Sequence, residues 1–246
     1  MITEPDIPAL LRAAARNNAE WCAAVSRSGH FRRALWCSPR RTPPLYPDAV
    51  TLVPGVSAAE VLAGVDTVGP GCSVKDSFAS LDLAPAGFEV LFEAQWIHRP
   101  AGAAVPDGGR LEWDEAEAPG ELARWEAAWG GGESTGLFHA GLLREGVVIL
   151  VGRDDRGRIA AGAVVSTGGG VVGVSNVFAR DETDIGSAWA AALGAAARHW
   201  PGLPVVGYEH GEDLDTAVRA GFSPIGPLRV WLRTAQARPG HGLDTA

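Results

Sequence analysis

The chain has 246 residues, 46% of them hydrophobic, with a formal net charge of −8 and a pI near 5.2. Cations cluster only at Arg32-Arg33 and Arg40-Arg41, beside Trp36 and several prolines, so no nucleic-acid partner is expected, since that binding needs a cationic face. No apolar run reaches the roughly 18 residues of a membrane span, and Met1-Ile2-Thr3-Glu4-Pro5-Asp6 lacks a signal-peptide pattern, so a cytoplasmic protein without a membrane partner is expected.

The three cysteines, Cys22, Cys37 and Cys72, have no metal-ligand spacing and read as buried, reduced thiols. The histidines are scattered, so no metal site is expected. Lysine occurs once, at Lys75, in a chain rich in Arg, Ala, Gly and Pro, which fits a bacterial genome of high GC content.

Apolar residues at near-helical spacing over 7–27, among them Leu10, Leu11, Ala14 and Trp21, predict an opening amphipathic helix. Residues 38–48, "SPRRTPPLYPD", read as a Pro-rich loop. A short strand "AVTLVPG" follows, then a helix whose Ser57 and Glu60 form a capping box. "SVKDSF" reads as a helix start, and "EVLFEAQWIHR" as a strand. Residues 100–109, small and Pro/Gly-rich, are the linker candidate.

Beyond it, "PGELARWEAAWG" predicts a helix ending at Gly130. Three strands follow, from Val147, Arg158 and Val171, joined by turns at Asp154–Gly157 and Gly168–Gly170. Helix 184–199, strand 203–209, helix 211–221 and strand 227–233 complete the pattern. The expected division is an N-terminal α/β domain over 1–108, a C-terminal domain over 109–235 and a flexible tail over 236–246. "LAPAGFEVLFEAQWIHR" (83–99) echoes "AVRAGFSPIGPLRVWLR" (217–233), either by chance or because the N-terminal half is a diverged copy of the C-terminal unit.

The order of elements from 147 to 233, carried by "GRIAAGAVVSTGGGVVGVSNVFA", "DIGSAWAAAL" and "AVRAGFSPIG", resembles the GNAT superfamily of acyl-CoA-dependent N-acyltransferases over roughly the C-terminal half. The resemblance implies an α/β (α+β) fold, a twisted mixed sheet flanked by helices. It also implies acyl transfer, with acetyl-CoA or another acyl-CoA as the donor. The acceptor would be an amine of a small molecule or peptide. The family's bulged strand falls on Val177, Phe178 and Ala179, and its pyrophosphate turn at a helix N-terminus on Ile185, Gly186 and Ser187.

This chain departs from the family pattern at that turn. Asp184 and Asp181 stand where the motif has a glycine and an Arg or Gln, and Ala217 stands where the family often has a tyrosine proton donor. Two readings are open. The acidic residues cap the helix and favour its dipole, or the phosphate seat has been abandoned or rebuilt, leaving a ligand- or partner-binding protein.

"VVGYEHGED" brings Tyr208, Glu209 and His210 to a strand end, where Glu or His could take an amine proton; a solvated loop is the plainer reading. Ser175 and Asn176 are candidates to orient substrate, as are Trp96 and His98 on one face of strand 89–99, although core packing is the plainer reading of the latter two. A homodimer is an expectation of this reading.

Overall fold

The computed structural model describes residues 6–234; the tail expected over 236–246 lies outside them. In chain order the elements are α1 (Ile7–Ser26), β1 (His30–Phe31), β2 (Leu35–Cys37), β3 (Ala49–Thr51), α2 (Ala58–Leu62), β4 (Ser73–Asp76) and β5 (Phe88–Arg99). Then come β6 (Glu112–Glu115), α3 (Pro119–Gly130), β7 (Val147–Arg153), β8 (Ile159–Gly168), β9 (Val171–Ala179), α4 (Ile185–His199), β10 (Val205–Glu209), α5 (Gly211–Arg219) and β11 (Ser223–Arg233). No described helix is long and apolar enough to cross a membrane.

All eleven strands form one mixed sheet in the order β1-β2-β3-β4-β11-β5-β10-β9-β8-β7-β6. Strand alternation splits the core between its faces. Ile149, Val151 and Val164 pack with Trp21 of α1 and Trp125 of α3, whereas Val148, Leu150, Ala163 and Val165 pack with Trp189 of α4. The opening helix is started by Asp6, whose carboxylate accepts from Ala9 N–H at 3.1 Å. Of the capping box expected at Ser57, the N-cap half is formed, with Glu60 N–H donating to Ser57 Oγ at 3.2 Å.

The 83–99 and 217–233 echo sits at the centre of this sheet. β5 and β11 pair antiparallel with Ala94 opposite Leu228. Laying 222–233 on 88–99, Phe222 on Phe88, turns every rung except Arg233–Phe88 at the end into an observed rung. Gly226–Trp96 becomes Phe92–Val230, and Pro224–Ile97 becomes Val90–Trp231. The two register shifts also exchange, with Ile225 and Leu91 as the matching extra residues. On either side of this pair lies a parallel strand–helix–strand unit, β3-α2-β4 and β9-α4-β10. Gly87 and Gly221, the glycines of the two Ala-Gly-Phe turns, both adopt positive φ, 78° and 91°, which a side chain would resist.

The helix start expected at "SVKDSF" is instead strand β4, paired with Arg229–Leu232 of β11. Asp76 closes it, accepting from the N–H groups of Phe78 and Leu81, a local pattern that imitates a helix cap. Three other short strands, β1, β2 and β6, fall outside the sequence expectation; Glu112–Glu115 is held by pairing with β7.

Gly162 on β8 makes room for two aromatic side chains. A Cβ there would lie 2.3 Å from Trp125 Nε1 and 2.5 Å from Phe178 Cε1. Trp125 Nε1 donates to Leu150 O at 2.8 Å, and its ring meets Phe178 edge-on at 5.4 Å. Gly162→Ala is therefore expected to cost about 1–3 kcal/mol of stability by overpacking, read as a shift in the denaturant midpoint at constant m.

Candidate functional site

β9 and β10 run parallel for two rungs only, Val172–Val205 and Gly173–Val206, and then part. Asn17 of α1 is wedged where they separate. Its Oδ1 occupies the space a Cβ on Gly173 would need, and its Nδ2 donates to Ser166 O at 3.0 Å. Just beyond, β9 bulges against β8: Phe178 faces Gly162 and Ser175 faces Val164, leaving an extra residue on β9. Asn176 within the bulge has φ of +52°, a conformation that non-glycine residues seldom adopt.

Two adjoining cavities open where the strands diverge, and Tyr46, Lys75, Phe92 and Tyr208 contribute to both. The first, about 330 Å³, is also lined by Asn18, Trp21, Ser175, Asn176, Val177 and Glu209. The second, about 520 Å³, continues along Pro43, Pro44, Leu91 and Leu232. The Pro-rich loop forming its wall is anchored by buried Asp48, which accepts from Thr42 N–H at 2.7 Å, Arg41 at 3.1 Å and Ser73 N–H at 3.0 Å.

Among the described residues, Glu209 is the only carboxylate lining either cavity. Burial, with Asp213 nearby, pushes its pKa up to about 8, against a smaller downward pull from the Lys75 charge. Lys75 is itself 3% exposed, donates to Asn18 Oδ1 at 2.9 Å and lies 3.9 Å from the Tyr208 ring centroid.

The acidic turn lies at the start of α4. Asp184 is the N-cap residue, yet its side chain makes no capping bond; it turns away to take a bidentate pair from Arg110 at 3.1 and 3.2 Å. Asp181 lies 3.8 Å from the same guanidinium. Beside them is a polar cavity of about 560 Å³ lined by Arg156, Arg158, Arg180, Asp154 and Asp155 together with Arg110. The linker covers part of this helix end, where Ser187 Oγ donates to Gly108 O and accepts from Trp113 Nε1 at 3.2 Å. Gly186 is exposed, with nothing near the position of a Cβ.

Of the sequence candidates, Tyr208, Glu209, Ser175, Asn176 and Val177 meet in the first cavity. Trp96 lies beneath it, 1% exposed, edge-on to Tyr208 at 5.7 Å and donating to Ser77 O at 2.8 Å. His98 is buried and lines neither cavity; desolvation lowers its pKa. His210 is exposed at the N-cap of α5, with its ring 5.3 Å from that of Phe92. Phe178 turns into the core against Trp125, while Ala179 and Ile185 are half-buried near the α4 end. Sequence reading missed Lys75, Tyr46, Trp21 and Arg110. The one available signal was the single lysine of an arginine-rich chain.

No protein-family model and no curated protein matches the chain. A solved structure, a GCN5-related N-acetyltransferase from Kribbella flavida, superposes with a TM-score of 0.62 over 94% of this chain and 97% of its own, at 18% identity. The chain has the GNAT fold. A GNAT-family protein from Novosphingobium aromaticivorans matches 92% of this chain and 99% of its own, with a TM-score of 0.58 at 16% identity. A conserved protein of unknown function from Staphylococcus epidermidis matches 68% and 73%, with a TM-score of 0.53 at 11% identity. The likeness thus spans nearly the whole chain, beyond the C-terminal half that carried the sequence resemblance. In this GNAT fold, the bulge at Asn176 and the parting of β9 from β10 define the cleft.

Proposed function

We propose that the protein transfers an acyl group, an acetyl group in the simplest case, from acyl-CoA to an amine of a small molecule or peptide. The observation that carries this reading is Glu209, a desolvated carboxyl at the mouth of the parted strands, in a cavity large enough for a small acceptor. A carboxyl with a pKa near 8 suits removal of a proton from an ammonium group near neutral pH. Ser175 and Asn176 line the same wall and would orient the acceptor, while the Trp96 ring backs Tyr208 from below. The same reading treats residues 1–108 as a diverged copy of the unit over 109–235, supported by the symmetric pairing of β5 with β11.

When bound, acyl-CoA would supply an activated thioester carbonyl. The parted strands fit its extended arm, because the bulge frees backbone groups of Asn176 and Val177 from regular pairing. The α4 end fits its phosphates less simply. Exposed Gly186 permits close approach, but Asp184 and Asp181 oppose the charge that Arg110 attracts. That opposition favours a second reading, a GNAT-like protein that binds a ligand or partner without acyl-CoA.

Calorimetry with acetyl-CoA separates the two. Binding is expected, and Asp184→Gly, which also frees Arg110, is expected to tighten it roughly tenfold. Unchanged affinity in that variant means the turn does not face the phosphates. No binding of acetyl-CoA by either protein supports the second reading.

A further inference from the structure

Three side chains around the first cavity have hydrogen-bond donors to spare. The Lys75 ammonium carries three N–H groups; Asn18 Oδ1 takes one, and Lys75 forms no ion pair with a carboxylate among the described residues. Among the described residues, Tyr46 Oη and Trp21 Nε1 are fully buried without a hydrogen-bond partner of normal geometry. The Asn176 side chain and the Trp21 indole N–H both lie near the Tyr46 hydroxyl, but no bond of normal geometry joins either to it. Burial pushes the Tyr46 pKa up, so the phenol stays protonated and remains a donor.

Buried donors left unpaired are rare in folded proteins, and each such group calls for an explanation. Here Trp21, Tyr46 and Lys75 all line one cavity, opposite a single carboxyl, Glu209. The fitting ligand presents oxygen atoms to the donors and an amine to Glu209. The adjoining cavity is apolar along Pro43, Pro44, Leu91, Phe92 and Leu232, which suits a hydrocarbon side chain.

We propose that the amine acceptor is a free α-amino acid with an apolar side chain, its carboxylate received by Lys75, Tyr46 and Trp21 and its amine directed at Glu209. Lys75 is then a specificity-determining residue. Its charge, held in place by Asn18 and the Tyr208 face, selects amines that also bear a carboxylate over simple amines. The transfer step rests on the acyltransferase reading, but recognition of the amino acid does not.

The test is calorimetry on the full chain without acyl-CoA, using L-phenylalanine, L-leucine and phenethylamine as probes. The amino acids are expected to bind, and phenethylamine, which lacks the carboxylate, to bind at least tenfold more weakly. Lys75→Met should remove that preference. Tyr46→Phe, which deletes an orphan hydroxyl and should fold at least as well, should weaken the amino acids severalfold and leave phenethylamine unchanged. Equal binding of phenethylamine and L-phenylalanine overturns the proposal. So does failure of both amino acids to bind at millimolar concentration, or unchanged amino-acid affinity in folded Tyr46→Phe. Amino-acid binding without acetyl-CoA binding sustains the specificity and removes the transfer reaction; the reverse result does the opposite.

Discussion

Glu209→Gln is expected to lower the rate of acyl transfer by about 10²–10⁴ at saturating donor and acceptor, the usual cost of removing a general base. The amide keeps the shape of the side chain but cannot accept the proton. In the wild type the rate should rise with pH and reach half its plateau near pH 8, where the half-buried carboxyl ionises. In the variant that limb should vanish. A loss under about threefold would remove Glu209 from the mechanism.

A second readout needs no substrate. A carboxyl whose folded pKa is raised holds its proton in the native state after the unfolded chain has lost it. From about pH 4.5 to pH 8 the wild type should therefore lose stability as pH rises, and Glu209→Gln should flatten that decline.

Glu126→Ala is expected to cost on the order of 3–5 kcal/mol of stability, with a melting temperature lower by about 10 °C. Glu126 is 4% exposed on α3 and organises the loop that follows the helix. Its carboxylate accepts from Ser134 Oγ and Thr135 Oγ1 at 2.8 Å each, and from the N–H groups of Thr135, Leu137 and Phe138 at 2.8 to 3.2 Å. Removing it strands several donors, of which the Phe138 N–H is buried.

The damage should reach the site, because the Phe138 ring packs between Trp125, Trp129 and Trp21, and Trp21 and Trp129 line the first cavity. Burial works against ionisation of Glu126, but the hydrogen bonds from Thr135, Ser134 and Phe138 outweigh it and hold its pKa below the usual carboxylate range. Its contribution is complete above about pH 4.5 and is lost as pH falls through the lower folded value. Thermal melts of wild type and variant should converge in acid; a constant gap between them would contradict this account.

The regular elements were legible in the sequence because their periodicity is local. The continuous apolar runs of β7 and β8, the positive-φ turns at Gly157 and Gly169-Gly170, and the Ala-rich α4 all announce themselves within a dozen residues. β4 did not, because four residues cannot establish a period and Asp76 mimics a helix cap. Within the candidate site, Glu209 and Asn176 stood out as polar residues at strand ends. Lys75, Tyr46 and Trp21 did not, since they come from β4, the Pro-rich loop and α1, elements that converge only through the tertiary fold. The acidic turn was legible as an anomaly, but its resolution needed Arg110, which lies far away in sequence.

The exchanged central strands bear on how the chain can fold during synthesis. β11 is the last of the described strands to be made, yet it fills the gap between β4 and β5. Until residues 223–233 leave the ribosome, both of those strands present an open edge, and β5 must also wait for β10. The first half thus cannot complete its sheet while the second is being translated, and closing the centre requires contacts between distant parts of the chain. Val90 and Leu91 on β5, exposed even in the finished sheet, add an apolar face to that waiting edge. The interval before β11 arrives is when this protein is most open to mispairing with a second nascent copy of itself.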